Sequence, residues 1–322
     1  MGETAHLDED GNPRIVERRF TVAEEEAGLR VDHFLKKKIS RLSRTRLQRI
    51  AKTQVTKNGS RVKPSTSVSA GDELVLRREA QPEPPCPRTF DVLYDDERMM
   101  VIGKPAGLPV HSSAKFYFNT LTRVLDERFP GQMTQICHRL DRETSGVLVI
   151  ARDREAAKIL KGAFAKKTAR KVYRAIVYGV PTWEHCVVDK PLGLVTGEGE
   201  LNIRMEVRDH DSLPSKTELR VIESTGQHSL IECKPITGRQ HQIRAHLAAI
   251  DHPIVGDKLY THGEEAFKAF CETGMTAKLR ERFVLERQAL HAFSIEIVHP
   301  DDGRTLRVEA PLPPDLADFL RG

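Results

Sequence analysis

Hydrophobic positions near the start of the chain recur at helical spacing and then at strand spacing. Apolar residues at helical intervals over residues 31–42 and 47–51 predict two short helices. Ser43 precedes the second set and is suited to cap that helix. The pair Asn58–Gly59 lies between strand-like segments and is typical of a hairpin turn. We therefore expect two helices followed by a small sheet.

The pattern beyond residue 89 combines short strands with amphipathic helices. The run Gly146–Ala151 is continuously apolar and rich in β-branched residues, which predicts a buried strand. Asp153 is placed to cap a helix that extends to Lys167. Alternation over Val172–Tyr178 predicts another strand, with Tyr173 sharing a face with the apolar residues two and four positions later.

The pattern continues with two strands, 216–222 and 229–235, that we expect to pair. A helix is expected to begin at Thr237 or Gly238, with Ile243 and Leu247 facing inward. Residues 189–214 are rich in Gly, Asp and Glu, which predicts a surface loop or an insertion. Strands mixed with helices and joined by hairpins favour an α+β fold with a mainly antiparallel mixed sheet.

Prolines at positions 82, 84, 85 and 87 separate two regions of different composition. A Pro-rich segment of this kind is a semi-rigid spacer. We therefore predict a small α+β domain at 15–79, a linker at 80–88 and a large α+β domain at 89–322. A chain of 322 residues is long enough for two such domains, each with its own core.

Basic residues are concentrated in the small domain. The whole chain has a net charge of only +5, but residues 30–63 contain twelve Lys or Arg and a single acid, Asp32. A solvated helix surface usually mixes charges of both signs, so this excess indicates a polyanionic partner. The alternative is a basic helix pair that is merely solvated.

The cysteine pattern and the hydropathy of the chain indicate the cellular compartment of the protein. The five cysteines show no CxxC pair and no disulfide-like spacing, which favours reduced thiols in the cytoplasm. No apolar run approaches 18 residues and the acidic N-terminus lacks the apolar region of a signal peptide. No metal-ligand spacing is visible. We expect a cytoplasmic protein, most simply a monomer, without membrane attachment.

The most distinctive polar segment precedes the predicted buried strand. Residues 138–145 place Asp141 between Arg139 and Arg142 in a turn that leads directly into the strand. A core strand can hold such a carboxylate in a defined position, which suits catalysis. Taken alone, however, Asp141 is better explained as an ordinary turn residue, because Asp stabilises turns through local hydrogen bonds.

Four segments in order resemble the motifs of the RluA-type pseudouridine synthases. The segment 138–146 (HRLDRETSG) resembles their active-site motif, and 101–111 (VIGKPAGLPVH) resembles their first motif, with Gly103 where Asn is frequent. Lys171–Tyr173 with 177–179 resembles their tyrosine strand. The segment 238–247 (GRQHQIRAHL) resembles their arginine helix. The resemblance covers the chain from about Thr89 onward and implies a bent, mainly antiparallel sheet with a central cleft.

The resemblance also implies roles for individual residues. Asp141 would be the catalytic carboxylate, acting as nucleophile, charge stabiliser or proton acceptor. Arg244 would hold that carboxylate ionised, and Tyr173 would provide an aromatic wall and a hydroxyl that assists proton removal. The implied RNA contact in this domain is Arg139, which would replace a flipped base, and Leu247 would close the pocket as an apolar contact. His138 either contacts RNA or has a structural role in the turn. The isomerisation needs no redox cofactor, so we expect none.

The small domain resembles S-four-type RNA-binding domains, named after a ribosomal protein. The matching segments are 30–35 (RVDHFL), 43–44, 55–59 and 71–74, with Gln54 where Gly is usual. We expect its RNA contacts to include Lys36, Lys37, Arg44, Arg46, Arg49 and Lys57.

Three functions are weighed against one another. The favoured one is an enzyme that converts uridines of structured RNA to pseudouridine, with large-subunit rRNA as the substrate suggested by the domain arrangement and tRNA as the alternative. A non-catalytic RNA-binding protein on a synthase-like fold is less favoured, because the implied Asp, Tyr and Arg are all present. A hydrolase with one carboxylate is weaker, since such sites usually pair two.

Overall fold

The chain folds into two compact units, Glu3–Glu83 and a larger one that begins at Pro84. The computed structural model describes residues 2–39, 42–113, 115–197 and 202–321. Arg41, one of the basic residues counted above, and residues 198–201 of the Gly-rich segment lie outside this description.

The small unit contains two helices and an antiparallel sheet with strand order β1-β4-β2-β3. Phe34 and Leu47 are fully buried where the two helices meet the sheet, and the Ser43 hydroxyl accepts a hydrogen bond from the Arg46 amide as expected of a cap. The elements are β1 (Ile15–Thr21), a 3-10 turn (Glu24–Glu26), α1 (Val31–Lys38), α2 (Arg44–Gln54), β2 (Val55–Lys57), β3 (Ser60–Arg61) and β4 (Glu73–Glu79).

Most strands of the large unit lie in the first half of its sequence, before residue 216. Its elements are β5 (Asp91–Asp95), β6 (Met99–Lys104), α3 (Leu121–Arg128), β7 (Gln135–Ile136), β8 (Ser145–Ala151), α4 (Arg154–Ala165), β9 (Arg170–Tyr178), β10 (His185–Asp189), β11 (Leu192–Leu194), β12 (Met205–Val207) and β13 (Ser212–Leu213).

The second half of the large unit completes the sheet and adds four helices. Its elements are β14 (Lys216–Thr225), β15 (His228–Pro235), α5 (Gln242–Ala248), α6 (Gly263–Thr273), α7 (Ala277–Phe283), β16 (Leu290–Val298), β17 (Thr305–Glu309) and α8 (Pro314–Arg321).

One sheet runs through the large unit in the order β10-β14-β15-β9-β16-β8-β6-β5, with β17 beside β16 and β7 beside β8. All of its pairings are antiparallel except the short parallel contact of β8 with β16. The predicted α+β class with a mainly antiparallel sheet is therefore confirmed.

The central strand β8 is buried on both faces. Val147 and Val149 belong to the apolar cluster that includes α4, whereas Leu148 and Ile150 belong to the cluster that includes α3 and α5. A strand covered on both sides has no polar face, which explains why this segment reads as one continuous apolar run.

The Gly-rich segment is not a plain surface loop. Strands β11, β12 and β13 form a separate three-stranded sheet, and Leu192 and Met205 bury their side chains against Ala245 of α5. The separate sheet agrees with an insertion rather than a loop. Its strands were not predicted because the apolar residues are few and widely spaced, so that no periodic pattern marks them.

Helix α5 also begins later than predicted, at Gln242. His241, just before it, has φ +52°, a left-handed conformation that interrupts the helical path. The residues from Thr237 to Gln240 therefore form a loop, which contributes to the cavity described below.

Candidate active site

The loop that carries Asp141 is attached to the central strand at both ends. The Cys137 amide donates to the Val149 carbonyl of β8 at 2.9 Å, and the loop then runs into β8 itself. The Thr144 amide donates to the Asp141 carbonyl at 3.2 Å, which closes a tight turn. The carboxylate thus projects from a turn whose two ends are fixed in the core.

Gly146 lets β8 and β16 approach each other beside this turn. Its φ is +112°, and a Cβ built there would lie 2.1 Å from the Ala292 carbonyl oxygen. Any side chain would push the two strands apart, so the parallel contact next to Asp141 requires glycine.

Lys104 anchors the turn that carries Asp141. Its ammonium group is buried and donates to the carbonyl oxygens of Pro105, Leu108 and Arg142 at 2.8, 3.0 and 3.1 Å. Burial lowers the pKa of Lys104 to about 7, although the negative charge of Asp141 acts in the opposite direction. Three carbonyl partners satisfy all three of its donors, so its role is structural.

Glu143 ties the other side of the turn to the segment before β16. Its Oε2 accepts from the Lys258 ammonium at 2.8 Å and from the Gln288 amide at 3.2 Å. Lys258 also donates to the Glu286 carbonyl, and the Gln288 side chain donates to the Thr144 hydroxyl at 2.7 Å. These bonds restrict the turn on the side opposite Lys104.

The Asp141 carboxylate forms an ion pair with a clamped arginine. Arg244 Nη1 donates to Asp141 Oδ2 at 2.9 Å, while Nε and Nη2 donate to Asp257 at 2.6 and 2.9 Å. Asp257 is fully buried and also accepts from the amides of Leu259 and Tyr260. The bidentate pair fixes the guanidinium plane and so aims its remaining edge at Asp141.

Electrostatics favour the ionised form of this network. Burial opposes ionisation of Asp141, but the charge and hydrogen bond of Arg244 outweigh it, so the pKa of Asp141 lies below its usual value. Burial likewise opposes the charge on Arg244, yet Asp257 and Asp141 raise its pKa further. Asp141 is therefore a carboxylate at neutral pH, and its side chain is 32% exposed.

Tyr173 lies in the wall of the same cavity as Asp141. It projects from β9, where it pairs with Cys233 and Ala292, and it is 9% exposed. Burial, with the charge of Asp141, raises the pKa of Tyr173 above its usual value of 10.0. Its hydroxyl is thus protonated at neutral pH, which favours a hydroxyl that donates or relays a proton over a phenolate base.

Two aromatic side chains border the Arg244–Asp141 pair. Arg244 lies 5.0 Å from the centre of the Tyr260 ring, and the Tyr260 hydroxyl bonds the backbone of Met205 in the small three-stranded sheet. His241 Nε2 lies 3.8 Å from Asp141 Oδ2. Burial and the charge of Arg244 lower the pKa of His241 to about 4, so it is a neutral neighbour of the carboxylate at pH 7.

These groups surround a cavity of about 230 Å³. It is smaller than the roughly 300–1,000 Å³ of pockets for drug-sized ligands, which suits part of a nucleotide. Polar and cationic groups predominate in its wall, and apolar contacts come from Leu140, Ile243 and Leu290. Its other lining residues are Arg139, Asp141, Thr144, Lys171, Tyr173, Pro235, Thr237, Gly238, Arg239, Gln240, His241, Gln242 and Arg244.

Arg139 and His138, which are adjacent in the sequence, have different environments in the structure. Arg139 lines the cavity and is exposed. His138 does not line it: the Val149 amide donates to His138 Nε2, its ring packs on Phe164, and burial lowers the pKa of His138 to about 3. This supports the structural alternative for His138 over a charged contact with RNA.

Leu247 requires a correction. It is fully buried in the apolar core and is absent from the cavity wall, where Ile243, four residues earlier, is present instead. The two residues lie one helical turn apart on the same face, so the sequence pattern could not distinguish them.

The basic residues of the small unit differ in their partners. Lys37, Arg44, Arg46 and Arg49 are exposed on α1 and α2. The Lys57 ammonium donates to Asp72 at 2.9 Å, so its charge is already compensated. The Lys36 ammonium donates to the Leu42 carbonyl at the end of the loop between the helices.

Asp257 and Lys258 were not predicted from the sequence. They occur in the segment VGDKLY after α5, where polar residues interrupt an apolar run. Both are buried, and a buried charged residue almost always has a partner. Two adjacent charges within an otherwise apolar segment were the available signal.

The described residues contain no cluster of three or more His, Cys, Asp or Glu side chains arranged to bind a metal ion. A search of the same residues also finds no helix with the length and hydrophobicity needed to span a bilayer.

The comparison with family models identifies one family. The model for RNA pseudouridylate synthase matches residues 98–249. This range contains Asp141, Tyr173 and Arg244, and it ends one residue after α5.

Individual proteins resemble nearly the whole chain. The ribosomal large subunit pseudouridine synthase C of Vibrio cholerae is 33% identical over 313 residues, which cover 93% of this chain and 94% of that protein. The ribosomal large subunit pseudouridine synthase D of Neisseria meningitidis is 32% identical and covers 94% of this chain and 80% of its own length.

A solved structure agrees with these sequence matches. Human RNA pseudouridylate synthase domain containing 1 superposes with a TM-score of 0.57 and 28% identity, covering 73% of this chain and 89% of the human chain. The family-model match, the relatives that extend over almost the full length and the shared fold lead to one conclusion: this chain belongs to the RluA-type family of RNA pseudouridine synthases.

Proposed function

We propose that Asp141 is the catalytic carboxylate of this pseudouridine synthase and that its target is a uridine of large-subunit rRNA. The observation that supports the first part is that an ionised Asp141, bonded to Arg244 at 2.9 Å, lies in the wall of a cavity large enough for part of a nucleotide. The names of the relatives from Vibrio cholerae and Neisseria meningitidis support the choice of RNA.

The reaction is an isomerisation, so every atom of the uridine remains in the product. The bond between ribose C1′ and N1 of uracil breaks, C1′ joins C5, and the proton that leaves C5 is balanced by one gained at N1. Asp141 attacks C1′, stabilises positive charge there or accepts a ribose proton; each role needs the ionised carboxylate that Arg244 maintains.

Tyr173 and Arg139 complete the proposed site. The Tyr173 ring forms a wall for the uracil, and its neutral hydroxyl relays the C5 proton instead of removing it as a phenolate. Arg139 is exposed at the cavity and its planar guanidinium can replace the flipped base in the RNA stack.

The small unit is proposed to be an S-four-type RNA-binding domain. Its two helices carry Lys37, Arg44, Arg46 and Arg49 on exposed positions, which suits contacts with phosphates. Lys36 and Lys57 remain candidates, but their ammonium groups already have partners within the unit. We also propose that the enzyme works as a monomer in the cytoplasm, where bacterial rRNA is made.

Mapping of pseudouridines in total RNA, with and without the gene, tests the proposed function. We expect one or a few large-subunit rRNA positions to lose pseudouridine in the deletion strain and to regain it with the wild-type gene, but not with Asp141→Asn. Loss confined to tRNA would replace the proposed substrate. An unchanged pseudouridine map in both RNA classes would contradict the proposal.

A further inference from the structure

Lys171 shares the cavity wall with Tyr173 but has no role in the reaction as described above. The two residues lie two positions apart on β9, so their side chains emerge on the same face of the strand. The Lys171 ammonium also lies close to the loop before α5, because a Cβ built on Gly238 would be 3.6 Å from Nζ. Its charged end therefore reaches the interior of the cavity between β9 and that loop.

Lys171 differs from the two buried lysines of this region, because no described residue binds its ammonium group. Lys104 donates to three carbonyl oxygens, and Lys258 donates to Glu143 and to the Glu286 carbonyl. Within the described residues, Lys171 Nζ forms neither a hydrogen bond nor an ion pair, and burial alone lowers its pKa. The ammonium group of this half-buried side chain is therefore not engaged by a described protein acceptor and can bind a ligand.

The charges of the cavity wall identify the kind of ligand. Arg139, Lys171, Arg239 and Arg244 are cationic, whereas Asp141 is the single carboxylate among the described residues of the wall and is already paired with Arg244. The wall therefore has an excess of positive charge that an anion would offset. Uracil and ribose are neutral, so the phosphodiesters are the only anions in the RNA substrate.

We propose that Lys171 binds a phosphodiester next to the target uridine and so fixes the depth at which the flipped nucleotide enters the cavity. This inference rests on the proposed function of the same cavity. The phosphate on the 5′ side and the phosphate on the 3′ side offer the same chemistry, and the experiment distinguishes them.

Three substitutions define the contribution of the charge. Lys171→Met removes the ammonium and keeps a long apolar side chain, and Lys171→Arg keeps the charge. Lys278→Met removes a charge from an exposed position on α7 outside the cavity wall and is the matched control. We expect Lys171→Met to lower kcat/KM by about 10- to 100-fold, as for a lost charged hydrogen bond, with the arginine variant retaining most activity and the control unchanged.

The substrate is modified in parallel. Single-turnover rates are measured on an RNA that carries the mapped uridine, and on two versions in which a neutral methylphosphonate replaces the 5′ or the 3′ phosphate. We expect one of these replacements to cost the wild-type enzyme as much as Lys171→Met does, and to cost Lys171→Met nothing more. That position identifies the phosphate.

Several outcomes would overturn the inference. A Lys171→Met variant with the kcat/KM of the wild-type enzyme would contradict it. It would also be contradicted if the two methylphosphonates lowered the single-turnover rate equally, in the wild-type enzyme and in the variant. A loss in Lys171→Met that persists at saturating RNA and shifts the pH profile would instead assign Lys171 to proton transfer. These results are distinct from a failure of the proposed function, in which the wild-type enzyme itself would form no pseudouridine. Circular dichroism melting of each variant identifies any that are unfolded.

Discussion

The cavity of the large unit and the helices of the small unit are both rich in cationic side chains, but they hold them in opposite ways. Arg244 is 8% exposed and bonds two carboxylates, whereas the arginines at 46 and 49 are exposed on α2. Buried charges must be paired in fixed geometry, and exposed ones are screened by water and salt. The first arrangement suits chemistry at one atom, and the second suits contact with a long polyanion.

This comparison predicts that single substitutions have large effects in the cavity and small, salt-dependent effects on the helices. The largest loss is expected for Asp141→Asn, which keeps the size of the side chain and removes its charge. Product formation should fall by at least 10³-fold, as for an essential catalytic group, while RNA affinity stays within a few-fold because phosphate contacts lie elsewhere. Single-turnover assays with filter binding measure both quantities. Turnover above about 1% of wild type would contradict the catalytic assignment.

A second test compares two arginine–aspartate pairs of the same geometry. Arg244–Asp257 and Arg287–Asp315 both have bonds of 2.6 and 2.9 Å, but Asp257 is fully buried and the Asp315 side chain is 49% exposed. Asp257→Asn should therefore lower the free energy of unfolding by about 3–5 kcal/mol and turnover by about 10²-fold. Asp315→Asn should cost about 1 kcal/mol or less. Equal losses in urea titrations would show that burial does not distinguish the pairs.

The pKa of Asp257 is below its ordinary value of 3.8, because Arg244 and the backbone amides outweigh the effect of burial. The stability from this depressed pKa is present above the unfolded-state value and is lost as the pH falls through the folded-state value. The difference between wild type and Asp257→Asn should accordingly be constant near neutral pH and shrink below about pH 4. A difference that shrinks already at pH 6 would contradict this assignment.

Tyr173→Phe tests the hydroxyl while the aromatic wall remains. Turnover should fall by about 10²-fold with little change in RNA affinity.

Because the pKa of Tyr173 lies above 10 and that of Asp141 below 3.8, neither group titrates between about pH 5 and pH 9. The wild-type single-turnover rate should show no acid limb from Asp141 and no alkaline limb from Tyr173 in that range. If Tyr173→Phe kept the turnover of the wild-type enzyme, Tyr173 would have only a packing role.

The smallest effect is expected on the helices. The double substitution of Arg46 and Arg49 by Gln should leave turnover at saturating RNA unchanged and reduce the log–log salt slope of binding by about 1.4–1.8, since each lost phosphate contact removes about 0.7–0.9. Lys57→Gln is the matched control, because the Lys57 charge is already paired with Asp72 and its slope change should be smaller. An unchanged slope in the double variant would mean that this face does not bind RNA.

The sequence by itself determined the features that depend on neighbouring residues. The buried strand, the cap at Ser43 and the turn around Asp141 follow from local spacing and from hydrogen bonds within a few positions. The resemblance of the motifs indicated the family, and it named Arg244 as the partner of Asp141. Such features can be predicted from the sequence because their physical cause is local.

Tertiary structure decided which charges meet. Arg244 and Asp141 are 103 positions apart, and only the order of strands in the sheet brings α5 to the Asp141 turn. The same packing buries Asp257 behind the arginine and gives Lys104 and Lys258 their acceptors, and it leaves Lys171 without an acceptor among the residues that the structure describes. Pairing and burial depend on the whole three-dimensional environment of a side chain, and no pattern of neighbours in the chain identifies the partner of each of these residues.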